Sequence, residues 1–145
     1  MKYMLLVYLD ETALSETERE HCYVESAQLA QDLSASGKYL SAGPLHPVAT
    51  ATSVRVRNGK RLVTDGPFAE TRELIAGFWI WKVNSMDEAV EWVKRIPFDE
   101  ASTPSDAAPI EIRQVFEMED FGAELTPEAR AQEERLRGEI DKQQS

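Results

Sequence analysis

The chain has 145 residues and carries 16 Lys and Arg against 26 Asp and Glu, a formal net charge of −10. A length near 150 is about one domain, able to bury roughly 70% of its unfolded surface. With 42% hydrophobic and 29% charged residues it is an ordinary globule, which excludes a disordered chain or a disulfide scaffold.

A sequence pI near 4.7 argues against nucleic acid and anionic membranes as partners, because both need clustered Lys and Arg. A lone Cys22 rules out an internal disulfide and fits a reducing compartment. The apolar run at the start stops at Asp10, too short for a signal h-region and without a small-residue cleavage site. No run approaches the length of a membrane span, so a cytoplasmic protein is expected.

Lys2 to Leu9 predicts a first strand, with Tyr3, Leu5, Val7 and Leu9 on one face and Met4, Leu6 and Tyr8 on the other. Ser15-Glu16-Thr17-Glu18 is a capping box that opens a helix. Its expected buried stripe is Cys22, Leu29 and Leu33 with Tyr23, Ala27 and Ala30 beside them, and Gly37 closes it. Lys38 to Leu45 predicts a second strand. Thr50 to Arg57 and Lys60 to Thr64 flank Asn58-Gly59, a strong hairpin signal, since both residues tolerate positive φ.

Asp65-Gly66-Pro67-Phe68 is a second turn, Ala69 to Leu74 fits one helical turn, and Ile75 to Val83 is a strand. There Phe78 and Ile80 face one way and Trp79, Trp81 and Val83 the other. Ser85-Met86-Asp87-Glu88 opens a second helix with Ala89, Trp92, Val93 and Ile96 on one stripe, stopped by Pro97. Phe98 to Ala108 is a Pro/Ser/Asp-rich loop, long enough to be a lid or simply disordered. Pro109 to Met118 predicts the last core strand. Thr126-Pro127-Glu128 caps a tail helix with Leu136 and Ile140 as its large apolar residues, expected to dock it on its own or the partner subunit.

The order β-α-β, hairpin, β-α-β predicts an α+β, ferredoxin-like fold with an antiparallel sheet and an added C-terminal helix. The domain spans residues 1–122 and the peripheral tail helix residues 123–145. Two helices cover one face of such a sheet, yet two of its strands are apolar on both faces. A homodimer packed sheet on sheet is therefore expected, through the faces carrying Tyr8, Trp79 and Trp81 or their opposites.

Asp65-Gly66-Pro67-Phe68-Ala69-Glu70-Thr71-Arg72-Glu73, with Ala76-Gly77-Phe78 after it, resembles the DGPF-domain branch of the YCII-related family. Lys2-Tyr3-Met4-Leu5-Leu6, Ser41-Ala42-Gly43-Pro44-Leu45, Thr50-Ala51-Thr52 and Glu111-Ile112-Arg113-Gln114-Val115-Phe116-Glu117 agree with it, over roughly residues 1–122. The resemblance implies a dimeric α/β barrel with pockets between sheet and helices. It also implies a setting beside extracytoplasmic-function sigma factors, and thus a stress or regulatory role. The founding branch is associated with a His–Asp pair whose His lies about three turns before the glycine that ends the first helix. Counting back from Gly37 lands near Ser26, so that pair does not carry over.

Asp65 is the best acid candidate, as a general base at a strand end or, more ordinarily, as an Asx-type turn residue. His46, between Leu45 and Pro47, is either a proton carrier at a strand end or a loop histidine. His21 and Cys22 are helix neighbours that do not face each other, so they form no nucleophile–base pair. Arg55, with Arg57, could steer an anionic ligand or form a solvated or subunit-bridging face; Tyr8, Trp79 and Trp81 could line an aromatic pocket or serve core or dimer packing. No cofactor or metal is expected, for there is no HExxH, paired Cys, GxGxxG, Walker or GxSxG motif.

Two functions remain open at this point. One is a small-molecule enzyme using proton transfer, elimination or hydrolysis through Asp65, His46 and Tyr8. The other is a ligand- or protein-binding module in a regulatory circuit.

Overall fold

The computed structural model describes residues 1–9, 14–66, 74–97, 109–143 and 145. In chain order the elements are β1 (Lys2–Leu9), α1 (Glu16–Ala35), β2 (Tyr39–Pro44), β3 (Thr52–Arg57), β4 (Lys60–Asp65), β5 (Leu74–Lys82), α2 (Met86–Val93), β6 (Ile110–Val115) and α3 (Pro127–Gln143). The fold is mixed α+β. Four strands form an antiparallel sheet in the order β2-β5-β1-β6, and β3 and β4 pair separately as a hairpin. No helix among the described residues is long and apolar enough to cross a membrane.

The helix boundaries follow from their caps. Ser15 Oγ accepts the Glu18 amide at 3.2 Å, and the Glu18 carboxylate accepts the Ser15 amide at 2.7 Å, so two orphan donors are satisfied reciprocally. Ser85 caps α2 in the same way, accepting the Glu88 amide at 3.1 Å. The return bond is displaced by one residue: Glu88 accepts the Asn84 amide at 2.8 Å, and its other oxygen meets Lys38 at 3.1 Å. Gly37 leaves α1 at φ 70°, and Asn58 and Gly59 turn the hairpin at φ 53° and 73°, as their residue types allow.

Strand alternation sorts the sheet into two faces. Register pairs Tyr3 with Trp81, Leu5 with Trp79 and Val7 with Gly77 on one face; Met4 with Ile80 and Leu6 with Phe78 lie on the other. The first face meets both helices, since Tyr3, Leu5, Trp79, Trp81 and Val83 share one buried cluster with Leu29, Leu33, Ala89 and Ile96. A bulge after Val7 shifts the register so that Tyr8 pairs with Ile75. The Tyr8 hydroxyl bonds Glu111 at 3.1 Å, and Glu111 pairs with Leu6, so Tyr8 belongs to the face away from the helices. Tyr8 and the two tryptophans therefore do not share a face. The covered face is settled by the tryptophans, and the apolar residues left open are Met4, Leu6, Tyr8, Phe78 and Ile80.

Within the chain, contacts other than those of Leu136 and Ile140 hold the tail helix. Leu136 and Ile140 are 48% and 50% exposed within the chain. The helix is instead tied down by arginines. Arg130 donates to the carbonyls of Met118 at 2.9 Å and Phe121 at 3.1 Å, and Arg137 lies over the Phe121 ring. Phe121 in turn meets Phe116 edge to face.

Two ionic staples join the helices and loops on the covered face. Arg95, just after α2, pairs with Asp32 of α1, and Lys38 pairs with Glu88. The hydrogen bond from Arg95, then that from Gln28, holds the Asp32 carboxyl below its ordinary value. The Asn84 amide, then Lys38, does the same for Glu88. A carboxyl with a depressed folded value stabilises fully above its unfolded value of about 4, and that contribution disappears as pH falls through the lower folded value. Asp32→Asn should thus lower the melting temperature at pH 7, and the difference from the parent should shrink as pH falls below the unfolded value of about 4. A difference unchanged between pH 7 and pH 3 would count against the staple.

Candidate functional site

The two halves of α1 pack differently. Leu29 and Leu33 are buried against the sheet, whereas Tyr23 is 57% exposed and Ala27 is also exposed. The expected buried stripe holds only in the C-terminal half. The reason is size: Ser26, Ala27 and Ala30 on the helix oppose Ala42, Ala76 and Gly77 on the strands, and small residues on both sides leave a space. A cavity of about 420 Å3 opens there, lined by α1, the ends of β1 and β2, the start of β5, and Ile96-Pro97 after α2.

Its floor is tight at a glycine. A Cβ at Gly77 would come within 3.0 Å of the Gly43 carbonyl oxygen and 3.4 Å of Pro44 Cα, both backbone atoms that cannot swing aside. The floor stays open because β2 and β5 run this close. Val7, Leu9, Leu14 and Trp79 supply apolar walls. The polar side chains are Arg19, Cys22, Tyr23 and Ser26, spaced i, i+3, i+4 and i+7 on one face of α1. A guanidinium, a thiol, a phenol and a hydroxyl are thus the polar side-chain groups of the residues lining an otherwise apolar space.

The structure brings one candidate residue to this cavity and leaves four elsewhere. Trp79 lines it. His46 is exposed and outside the lining, although its neighbours Leu45 and Pro47 are both part of it. Asp65 is exposed at the base of the hairpin, where Oδ1 accepts the Thr52 hydroxyl at 2.7 Å. The next amide, Gly66, donates to Ala51 at 2.7 Å, and a Cβ at Gly66 would meet the Ala49 carbonyl oxygen at 2.8 Å. Asp65 and Gly66 therefore lock the hairpin base onto the segment that enters it. Arg55 is exposed on β3, and Tyr8 lies on the opposite sheet face.

The rest of the DGPF run, residues 67–73, lies outside the described residues, as do Asp10 and the loop from Phe98 to Ala108 read as a lid. Ser26, where the founding branch's histidine would fall, does line the cavity. Arg19, Tyr23 and Gly77 were not singled out for binding by the sequence. Their signal was the run of small residues on α1 set against a glycine in an otherwise bulky strand. Among the described residues no group of three His, Cys, Asp or Glu side chains is placed to hold a metal ion.

Comparison with known proteins adds the following. A protein of Rhizobium meliloti (strain 1021), itself uncharacterised, is 38% identical, covering 72% of this chain and 87% of the relative. A solved structure of 5-chloro-2-hydroxyhydroquinone dehydrochlorinase from Burkholderia phenoliruptrix, in complex with 2,5-dihydroxybenzoquinone, aligns with a TM-score of 0.46. It is 17% identical, over 80% of this chain and 94% of that one. The YCII-related domain matches residues 1–119, most of the sequence. The chain belongs to the YCII-related family.

Proposed function

We propose that the chain binds a small organic molecule in the cavity beneath α1, as a homodimer. The cavity carries this reading: its volume of about 420 Å3, apolar walls and few convergent polar groups are the form that small-molecule sites take. Ala27 is exposed, sits on the cavity wall and packs little core, so Ala27→Trp fills the space with least harm elsewhere. A metabolite pool screened by thermal shift should contain a compound that raises the melting temperature of the parent but not of Ala27→Trp. Saturation at 100 times Kd stabilises by about 2.7 kcal/mol, well within detection. Equal shifts in both proteins would place binding outside the cavity.

A catalytic version of the same site is favoured by one observation: His46 lies between Leu45 and Pro47, both of which line the cavity. Proton transfer or elimination/hydrolysis would then use His46 and Asp65 once the hairpin base and that loop approach the bound molecule. In the non-catalytic version the bound molecule is the signal in a regulatory or stress circuit. Placement in the DGPF branch, supported by the Asp65 to Glu73 run, favours that setting.

The remaining readings go with these two. The strand order β2-β5-β1-β6, with helices after β1 and β5, supports a ferredoxin-like domain of the dimeric α/β barrel type. Residues 123–145 would form a peripheral tail around α3, a reading supported by the exposure of Leu136 and Ile140. A cytoplasmic location without nucleic-acid partners accords with the net charge of −10.

A further inference from the structure

We infer that the cavity ligand is a compact aromatic carboxylic acid and that Arg19 is the residue that binds its carboxylate. The inference rests on the cavity being the binding site and deepens it by naming the ligand's chemistry.

Arg19 is the one Lys or Arg in α1, and it lines the cavity without an ion pair among the described residues. Several other basic side chains of the helices and their flanks are engaged, and Arg135 and Lys142 of α3, unpaired among the described residues, lie outside the cavity lining. Arg95 holds Asp32, Lys38 holds Glu88, Lys94 holds Glu91, Arg137 holds Glu133, and Arg130 is committed to two carbonyls. A planar guanidinium with a free fork is matched geometrically by a carboxylate, which it can bind through two parallel hydrogen bonds.

Charge makes the choice sharper. A chain of net charge −10 repels anions at long range, so an anion resides here only if a local cation holds it. Tyr23, one helical turn from Arg19, adds a phenol that can donate to the same anion. The rest of the lining is apolar. Trp79 presents ring surface, and Gly77 and Ala42 leave the floor flat enough for a ring to lie on. One charged end at the helix and one flat apolar body over the strands describe an aryl carboxylate.

The test uses the full chain and titrates benzoate, salicylate and 2-naphthoate, with benzamide and pentanoate as neutral and aliphatic controls, by calorimetry and Trp fluorescence. At least one aryl acid should bind at least about tenfold more tightly than benzamide and pentanoate. Arg19→Gln, a helix-compatible change at an exposed position, should weaken the acid about tenfold or more while leaving benzamide unchanged. Arg19→Lys should recover part of the loss. No binding by any aryl acid up to millimolar concentration, or acid affinity unaffected by Arg19→Gln, would overturn the assignment. Ala27→Trp separates the two levels. If it abolishes acid binding while Arg19→Gln does not alter it, the cavity stands and the arginine falls. If it leaves acid binding intact, the cavity reading falls, and the ligand assignment with it.

Discussion

Leu33→Ala should destabilise the folded chain by about 3 kcal/mol, read as a lower urea midpoint at unchanged slope. Leu33 is fully buried, and with Leu29 it is one of the two fully enclosed side chains by which α1 holds the sheet. Truncation removes the transfer energy of the lost methyl groups and leaves a void in the buried cluster between helix and sheet, which the opposing β-sheet is too rigid to fill. The hairpin is the contrast. Val54 and Val56 are 63% and 73% exposed, so Val54→Ala should cost no more than about 0.5 kcal/mol. A two-stranded hairpin is marginal by itself, and a cost at Val54 comparable with that at Leu33 would mean that the assembly buries this arm.

What the sequence made legible was local. Ser15 with Glu18, Ser85 before Glu88, and Asn58-Gly59 are short patterns whose partners lie within a few residues, and each forms as its chemistry requires. Alternation likewise separated Trp79 and Trp81 from Phe78 and Ile80, because the side-chain period of a strand is fixed at two. The cavity was not legible in this way. Periodicity put Cys22, Tyr23 and Ala27 on a buried stripe, and they do face the sheet, but Ala42 and Gly77 opposite them are too small to reach across. That depends on which strand positions stand under which helix turn, a tertiary fact.

The tail shows a second limit. Hydropathy pointed to Leu136 and Ile140, whereas Arg130 and Arg137 hold α3 through backbone carbonyls and an aromatic face. Such contacts leave no apolar pattern to read. Asp65 shows the same limit within a turn: its partner, the Thr52 hydroxyl, comes from across the hairpin.

The second large effect concerns assembly, and the parent chain is expected to be a dimer at micromolar concentration by light scattering. The sheet face away from the helices carries Met4, Leu6 and Tyr8 on β1 beside Phe78 and Ile80 on β5, and these are the two central strands. Toward β6 the same face turns polar, with Glu111 and Arg113. An apolar centre beside a charged border is how protein interfaces are built, and a soluble monomer seldom leaves such a centre wet. Leu6→Glu with Ile80→Glu puts two charges at the middle of the face without touching the cluster beneath the helices. The double variant should run as a folded monomer, because burying unpaired carboxylates costs several kcal/mol per ion. Far-UV circular dichroism should be unchanged. If the parent is itself monomeric at that concentration, or the double variant still dimerises, this face is not the contact, and the hairpin with its exposed valines becomes the surface to test.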